Sequence, residues 1–217
     1  MMGIEMEVNG VAIERCGDKL ADFIRHDAYE VYDRMGILAE PRPDVISREQ
    51  LCVMNSAMRA RSKVDAWLPF LGRTLPELAQ VPATVDLVDS PEGEVENALG
   101  YLRTAVESLC VPWISDMGAT KMLYLKRPKL VAISDSYIRQ RLDVKLSPGP
   151  ERAIAVARAV REVGMANAEP LAQLKRISDG VTDPAVPLSK ARIVDILIWV
   201  EEAIAQGHQF WSKRYPV

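Results

Sequence analysis

Residues 111–142 read VPWISDMGATKMLYLKRPKLVAISDSYIRQRL, and this stretch decides the predicted fold. A turn containing Pro112 leads into a short amphipathic helix, and a basic loop broken by Pro128 follows it. Four apolar residues at 130–133 and Ser134 then lead to Asp135, which lies at the start of another predicted helix. A carboxylate at that position either caps the helix or serves chemistry, and a cap would also hold it rigidly.

Composition excludes several classes of protein. The chain has 217 residues, 48% hydrophobic and 26% charged, with a net charge of −3, so any nucleic-acid binding has to rest on a local patch. Three cysteines and two histidines are scattered along the sequence: Cys16, Cys52, Cys110, His26 and His208. Their spacing fits neither a disulfide framework nor a zinc site, and it predicts a reducing compartment with no metal or other cofactor.

The sequence also indicates where the protein works. Glu5 and Glu7 near the N-terminus are unlike a signal peptide, and no apolar run reaches 18 residues. We therefore expect a soluble, cytoplasmic protein without a membrane partner.

Hydrophobic periodicity around this stretch is mainly helical. Alternating residues on either side of Asn9-Gly10 predict a β-hairpin over 3–15. The predicted helices have these bounds and signals: 18–35 with Asp18 as cap and Gly36 as stop, 47–61 with a Ser47/Gln50 capping box, 67–71, 75–78, 91–109 with Ser90 as cap, 151–164 ending at Gly164, 170–178, and 190–205 with Ser189 as cap.

Residues 111–123, VPWISDMGATKML, resemble the hairpin of the helix-hairpin-helix DNA glycosylase superfamily, and LVAISDS at 130–136 stands where its apolar rise and catalytic aspartate would be. The KRP run at 126–128, the Asp135-Ser136 pair and RIVDILIW at 192–199 are also similar to uncharacterised bacterial proteins that look like remote members. The resemblance implies a mainly α, two-lobed glycosylase-like fold.

The resemblance implies that Asp135 is the catalytic carboxylate and that the hairpin and its flanks hold DNA. The DNA-binding residues that it implies are Trp113, Ser115, Gly118, Lys121, Lys126, Arg127, Lys129 and Arg139. Trp113 and Ser115 replace the glycines that normally grip phosphate, so Trp113 either stacks on DNA or packs beneath the hairpin.

Charge supports a local DNA-binding surface. Residues 117–146 hold seven basic and two acidic side chains, an excess of 7 − 2 = +5 in a chain of net charge −3. Such a patch would bind the phosphate backbone in a salt-dependent way, unless it is simply a solvated helix face.

Other positions refine the predicted chemistry. Met117 stands where bifunctional members have a nucleophilic lysine, so the resemblance implies a monofunctional enzyme with Lys121 as a phosphate contact. Asn55, Arg59 and Tyr137 are candidates for the base pocket, although Asn55 and Arg59 also suit an ordinary surface pair and Tyr137 a core position. Arg192 and Asp195, three residues apart, are expected to pair on a helix surface.

We therefore expect one glycosylase-like domain over 1–217, with the hairpin at 3–15, a helix-hairpin-helix lobe at about 91–146, and further helices over 18–80 and 151–207. The expected activity is monofunctional excision of a modified or damaged base from DNA, without an obligatory protein partner. One substrate hypothesis is glucosylated hydroxymethylcytosine, used by some bacteriophages, in a phage-defence role. The alternatives are a non-catalytic DNA-binding module and a protein-interaction α-domain.

Overall fold

Helices make up most of the chain, and a two-stranded antiparallel hairpin precedes them, which confirms the prediction of a mainly α protein with an N-terminal β-hairpin. The structure is a computed structural model that describes residues 3–26, 29–57 and 63–216. Its elements are β1 Met6–Val8, β2 Val11–Ile13, α1 Cys16–Arg25, a π-helical segment Tyr29–Met35, α2 Gly36–Leu38, α3 Arg48–Ala57, α4 Val64–Trp67, α5 Pro76–Gln80, α6 Glu92–Leu109, α7 Asp116–Tyr124, α8 Ser136–Arg141, α9 Pro150–Ala166, α10 Ala168–Asp179, α11 Lys190–Ala205 and α12 Gln209–Arg214.

The hairpin turns at the predicted Asn9-Gly10. Both residues have positive φ, 51° and 75°, which a two-residue turn of this hand requires. Asn167, between α9 and α10, accepts from the Glu7 N–H and donates to the Glu7 carbonyl, both at 2.8 Å. This side-chain clamp supplies the packing partner that a lone hairpin lacks.

The predicted helix over 18–35 is wrong. α1 ends at Arg25 because His26 has extended backbone, and the Tyr29–Met35 segment is π-helical. Asp18 does not cap α1, since Arg15 is the N-cap and Asp18 pairs with its side chain from the first turn. Gly36 is no stop either: it begins α2, where a Cβ would lie 3.0 Å from Leu125 and Val53.

Of the other predicted helix caps, those at Ser47 and Ser189 are confirmed and the one at Ser90 is wrong. The Ser47/Gln50 capping box forms, with bonds of 3.2 and 3.4 Å, and the Ser189 Oγ accepts from the Arg192 N–H as predicted for α11. Ser90 is not a cap: its hydroxyl accepts from the Asp86 N–H instead.

The end of one helix and the presence of two others also differ from the prediction. α9 continues past Gly164 to Ala166, and α12 was not predicted. The piece predicted at 67–71 is wrong, because α4 ends at Trp67 and Pro69 has no N–H to continue it.

α11 lies at the centre of the core. It packs against α1, α8, α9, α10 and α12, and buried residues occupy all of its faces. One connected cluster of buried hydrophobic side chains extends from Met6 to Tyr215. α7, α8 and the segment between them therefore rest on a rigid support, whereas the division into two lobes stays a prediction.

Candidate functional site

Asp135 is a helix cap that stays partly open to solvent. Its Oδ1 accepts from the Tyr137 N–H at 3.1 Å, which caps α8. Its Oδ2 lies 3.1 Å from the Lys121 Nζ, and the side chain is 15% exposed. The carboxylate is thus held from both sides while one part of it faces the surface.

Lys121 forms an ion pair with the Asp135 carboxylate inside the protein. The residue is buried in α7, only 2% exposed, and points its ammonium at Asp135. Burial lowers the pKa of the Lys121 amine, while the neighbouring Asp135 opposes that change. The prediction that Lys121 contacts DNA phosphate is wrong, because α7 turns this side chain into the protein.

A buried polar network anchors the chain just before Asp135. Asp116, fully buried at the start of α7, accepts from Arg152 at 2.5 and 2.8 Å and from the Ser134 Oγ at 2.8 Å. The Ser134 N–H donates to the Thr120 Oγ1 at 3.1 Å. The network of Asp116, Thr120, Ser134 and Arg152 therefore joins α7, α9 and the segment that carries Asp135.

The 192–199 run, which lies in α11, also holds the segment between α7 and α8. Asp195 accepts from the Ile133 N–H at 3.0 Å through Oδ2, and its Oδ1 is buried without a hydrogen-bond partner among the described residues. Burial raises the pKa of Asp195 to about 7, and nearby Arg192 acts in the opposite direction. Asp195 thus fixes the backbone two residues before Asp135.

Arg192 pairs with Asp33 and not, as predicted, with Asp195 on a surface. Its Nε and Nη2 lie 2.7 and 3.0 Å from the Asp33 carboxylate, which also accepts from the Tyr124 hydroxyl at 2.7 Å. The guanidinium stacks 5.0 Å from the Tyr124 ring centroid. The surface-pair prediction is wrong because α11 is buried on every face.

Tyr137, two residues after Asp135, belongs to a cluster of aromatic rings. Tyr137, on the first turn of α8, lies 6.0 Å from Trp199, ring centroid to centroid, and Trp199 lies 6.0 Å from His208. Tyr137 and Trp199 are half-buried, and the His208 Nδ1 is buried without a partner in the described part of the chain. Sequence reasoning missed Trp199, although it ends the 192–199 run.

The turn between α6 and α7 presents Trp113 to solvent. The Ile114 N–H donates to the Val111 carbonyl at 2.9 Å, and Trp113 has φ +77°, a left-handed conformation that costs about 1–2 kcal/mol for a residue with a side chain. Trp113 is 67% exposed, and the Lys63 Nζ lies 3.6 Å from its ring centroid. The alternative that Trp113 packs beneath the hairpin is therefore wrong.

The residues that follow Trp113 differ in accessibility. Ser115 is exposed at the N-cap of α7, and its side chain makes no capping bond. Gly118 is buried inside α7, so the prediction that it contacts DNA is wrong.

Lys126 and Arg127 tie loops together inside the protein. Lys126 donates to the carbonyls of Glu40 and Arg42 at 3.1 Å, and burial lowers its pKa to about 8. Arg127 donates to the carbonyls of Val81, Pro43 and Leu78 and to that of its neighbour Lys126. The prediction that they bind DNA is wrong, because their N–H donors hold buried backbone oxygens.

The predicted basic patch is therefore much reduced. Lys129 is exposed, and Arg139 is half-buried with its Nη1 on the Ser134 carbonyl at 3.0 Å. Arg141 pairs with Glu202 and Lys145 with Asp143. The excess of basic residues in the sequence does not become an equal excess at the surface.

Of the remaining pocket candidates, Asn55 is half-buried in α3, and its Oδ1 has no hydrogen-bond partner among the described residues. Arg59 lies outside the described residues, so the predicted pairing of the two stays a prediction. Within the ranges 3–26, 29–57 and 63–216, no cluster of three His, Cys, Asp or Glu side chains is suited to hold a metal. The same ranges contain no helix long and apolar enough to cross a bilayer.

The site thus defines a helical protein with a partly exposed carboxylate that a buried ammonium and a polar network hold in place. The chain belongs to the DUF6308 family, described as a family of unknown function, whose model matches residues 24–202. None of the curated proteins and none of the solved structures matches the chain.

Proposed function

We propose that the protein is a DNA glycosylase of the helix-hairpin-helix type, with Asp135 as its catalytic carboxylate. The observation that carries the proposal is the geometry of Asp135, which is held by the Tyr137 N–H and the Lys121 ammonium and is still 15% exposed. The order α6, turn and α7, followed by the segment that leads to Asp135, agrees with the helix order that the resemblance implies.

The proposed reaction breaks the N-glycosidic bond of a nucleotide turned out of the duplex. As the base leaves with the bonding electron pair, positive charge develops on the sugar, and a nearby carboxylate stabilises that charge. Asp135 also orients the water whose oxygen bonds to the sugar carbon, and the released proton is taken up by the base or solvent. The fixed position of Asp135 reduces the reorganisation that this step needs.

The aromatic side of the site suits a flat base. Tyr137 and Trp199 are both half-buried, and their ring centroids lie 6.0 Å apart. Stacking on such rings contributes about 1–3 kcal/mol per base. The His208 Nδ1 adds a polar atom to the same aromatic cluster.

The proposed enzyme is monofunctional. Met117 occupies the position of the nucleophilic lysine in bifunctional members of the superfamily that the chain resembles. The nearby Lys121 ammonium donates a hydrogen bond to Asp135. Because the Lys121 Nζ is engaged by the Asp135 carboxylate, we expect water, and not lysine, to attack. Borohydride treatment during turnover should trap no covalent protein–DNA adduct; an adduct lost in Lys121→Met would contradict this step.

Asp135→Asn tests the proposed function. We expect the variant to bind DNA and to lose at least about 100-fold in excision rate, since the amide cannot supply the negative charge. The measurement is incubation with modified and unmodified duplexes, followed by alkali cleavage of abasic sites on a gel. Asp143→Asn is the matched control, because Asp143 is an exposed carboxylate nearby that pairs with Lys145. Equal excision by wild type and Asp135→Asn would reject the assignment.

Glucosylated hydroxymethylcytosine is the substrate hypothesis within this proposal. The wild type should release this base from phage DNA and leave alkali-labile sites. Release of alkylated or oxidised bases from other DNA, with no release from the phage DNA, would reject the hypothesis and keep the glycosylase assignment.

A non-catalytic DNA-binding module is the second candidate. The observation in its favour is that both oxygens of Asp135 already accept hydrogen bonds, as a purely structural cap would. In that case Asp135→Asn would keep the biological effect of the protein as well as its DNA affinity. DNA affinity that does not fall with salt would instead favour a protein-interaction domain.

A further inference from the structure

A cleft lies where α1, the end of α10 and α12 meet. Its main cavity has a volume of about 440 Å³, and a second cavity of about 350 Å³ adjoins it and shares Asp22, Arg25 and Arg214 with it. Among the described residues that line the two cavities, Asp135 does not occur. Cavities of this size suit a small molecule, so the cleft is a candidate binding site separate from the carboxylate.

Part of the lining of the main cavity is apolar. Ile4, Ile177 and the buried Tyr215 contribute to it. A Cβ at Gly17 would lie 3.6 Å from the Ile177 Cδ1 and 3.8 Å from the Ile4 Cδ1, so glycine at this position leaves the space next to them open. This part of the cleft suits the uncharged portion of a ligand.

The carboxylate of Asp22 is already satisfied within the protein. Its Oδ2 accepts from the Arg214 Nε at 2.8 Å and from the Tyr215 hydroxyl at 2.7 Å. The hydrogen bond from Arg214 is the main reason why the pKa of Asp22 lies below its ordinary value, and burial acts in the opposite direction. Asp22 therefore orients Arg214 and competes only weakly for the other cations of the cleft.

Two other guanidinium groups are placed to bind an anion. The side chain of Arg25 is 74% exposed, and its Nη1 lies 3.7 Å from the Asp22 Oδ1, which is longer than a hydrogen bond. Arg15 pairs with Asp18 at 3.1 Å, but both side chains are more than half exposed, and such surface pairs are weak. A ligand that carries more than one negative charge can displace these contacts.

The second cavity adds an aromatic surface. His26 and Phe210 line it, and their ring centroids lie 5.0 Å apart in an edge-on arrangement. Phe210 is 45% exposed at the start of α12. An exposed ring beside a cavity that holds arginines offers a stacking surface to a ligand with a flat ring.

We propose that the cleft binds a mononucleotide, whose phosphate is held by Arg15 and Arg25 and whose base lies against Phe210. A terminal phosphate carries about −1.5 to −2 charge at neutral pH and three acceptor oxygens, which suit two guanidinium groups better than a single carboxylate does. The site acts independently of Asp135, so the inference does not rest on the proposed glycosylase activity.

Isothermal titration calorimetry of the full chain tests the proposal with four probes: adenosine 5′-monophosphate, adenosine, inorganic phosphate and glucose 6-phosphate. We expect the mononucleotide to bind at least about 10-fold more tightly than each of the other three, since it alone combines a terminal phosphate with a flat base. Raising the salt concentration should weaken its binding, because the phosphate contacts are ionic.

Arg25→Gln removes one charge of the proposed phosphate site. Because Arg25 is exposed, the variant should fold normally, and it should bind the mononucleotide at least about 10-fold more weakly. Arg158→Gln is the matched control, because Arg158 is also more than half exposed, pairs with Glu96 and lines neither cavity. Its affinity for the mononucleotide should stay unchanged.

Gly17→Leu tests the cavity itself. The leucine side chain would occupy the space next to Ile4 and Ile177, so binding should be lost. The melting temperature should not fall, because leucine favours a helix more than glycine does. Phe210→Ala should reduce the affinity for the mononucleotide to about that for glucose 6-phosphate, which has no flat ring.

Three results would overturn the inference: no binding of the mononucleotide, equal affinity for it and for inorganic phosphate, or equal losses in Arg25→Gln and Arg158→Gln. Binding of a single-stranded oligonucleotide that depends on Arg25, without binding of the mononucleotide, would overturn it in favour of a DNA contact. Mononucleotide binding that depends on Arg25, in a protein that excises no base, would support the inference and reject the proposed function. Excision of a base without mononucleotide binding would reject the inference alone.

Discussion

At the scale of single residues, buried carboxylates organise the region around Asp135. Asp116, Asp33 and Asp195 are each fully buried, and each holds a different partner. Asp116 and Asp33 face guanidinium groups, whereas Asp195 accepts the Ile133 N–H and, among the described residues, its other oxygen has no hydrogen-bond partner. The three carboxylates therefore differ in how much their negative charge is compensated.

Asp195→Asn should change how stability depends on pH. Burial raises the folded-state pKa of Asp195 to about 7 from an ordinary value of 3.8, so the folded protein binds the proton more tightly than the unfolded chain does. This contribution to stability is complete below about pH 4 and is lost as the pH rises through about 7. Relative to the variant, the wild type should lose ~2–4 kcal/mol of unfolding free energy over this range.

Urea unfolding of both proteins at a series of pH values from 4 to 8 measures this change. A free-energy difference between them that stays constant over the series would show that Asp195 does not titrate in this window.

At the scale of elements, local signals predicted what local interactions decide. The Ser47/Gln50 box, the Ser189 cap and the Asn9-Gly10 turn each depend on side chains within a few residues of one another, and each forms as predicted. The π-helical segment was not predictable in this way, because its Tyr32 and Asp33 bond to Lys121 and Arg192, which lie far along the chain.

Gly164 in α9 also shows that a local sequence signal can mislead when a distant contact explains the residue. Gly164 fits a helix stop in the sequence, but α9 continues past it to Ala166, and this glycine packs against Val88. A Cβ at Gly164 would lie 2.8 and 3.1 Å from the two γ-carbons of Val88. Close approach, and not helix termination, explains this residue.

Gly164→Ala should therefore destabilise the protein even though alanine favours helix. The gain in helix propensity of about 1 kcal/mol is outweighed by overpacking of about 1–3 kcal/mol against Val88, whose β-branched side chain is restricted in χ1. Gly100→Ala in α6 is the control, since a Cβ there meets nothing within 4 Å, and it should stabilise by about 0.5–1 kcal/mol. Melting temperatures that move in the same direction for both variants would contradict this account.

At the scale of the whole molecule, the capping role of Asp135 was predictable from the sequence, but the burial of its basic neighbours was not. The 111–142 stretch identified Asp135 and its capping role, and the structure bears out that role. The roles of Lys121, Lys126 and Arg127 were not predictable, because burial depends on α11 and on loops far away in sequence. A count of basic residues gives charge and not its exposure.

Arg152→Met should destabilise the whole fold by about 3–5 kcal/mol, because it leaves the Asp116 carboxylate buried and uncompensated. The double variant with Asp116→Asn should recover part of this loss, since both charges are then removed. Arg103→Met is the control: Arg103 pairs with Glu151 at the surface, and its loss should change stability by less than about 1 kcal/mol. Urea denaturation measures all three, and equal losses for Arg152→Met and Arg103→Met would contradict the buried-pair explanation.

The network of Asp116, Thr120, Ser134 and Arg152 also sets the time at which the site can form during synthesis. Asp135 leaves the ribosome before Arg152, which pairs with Asp116, and well before Asp195, which holds Ile133. A nascent chain that ends between residues 142 and 151 would contain the whole 111–142 stretch without Arg152 and Asp195, the groups that align its carboxylate. The 111–142 stretch is therefore not a transplantable cassette: grafted alone into another helical protein, it would carry the motif without the geometry.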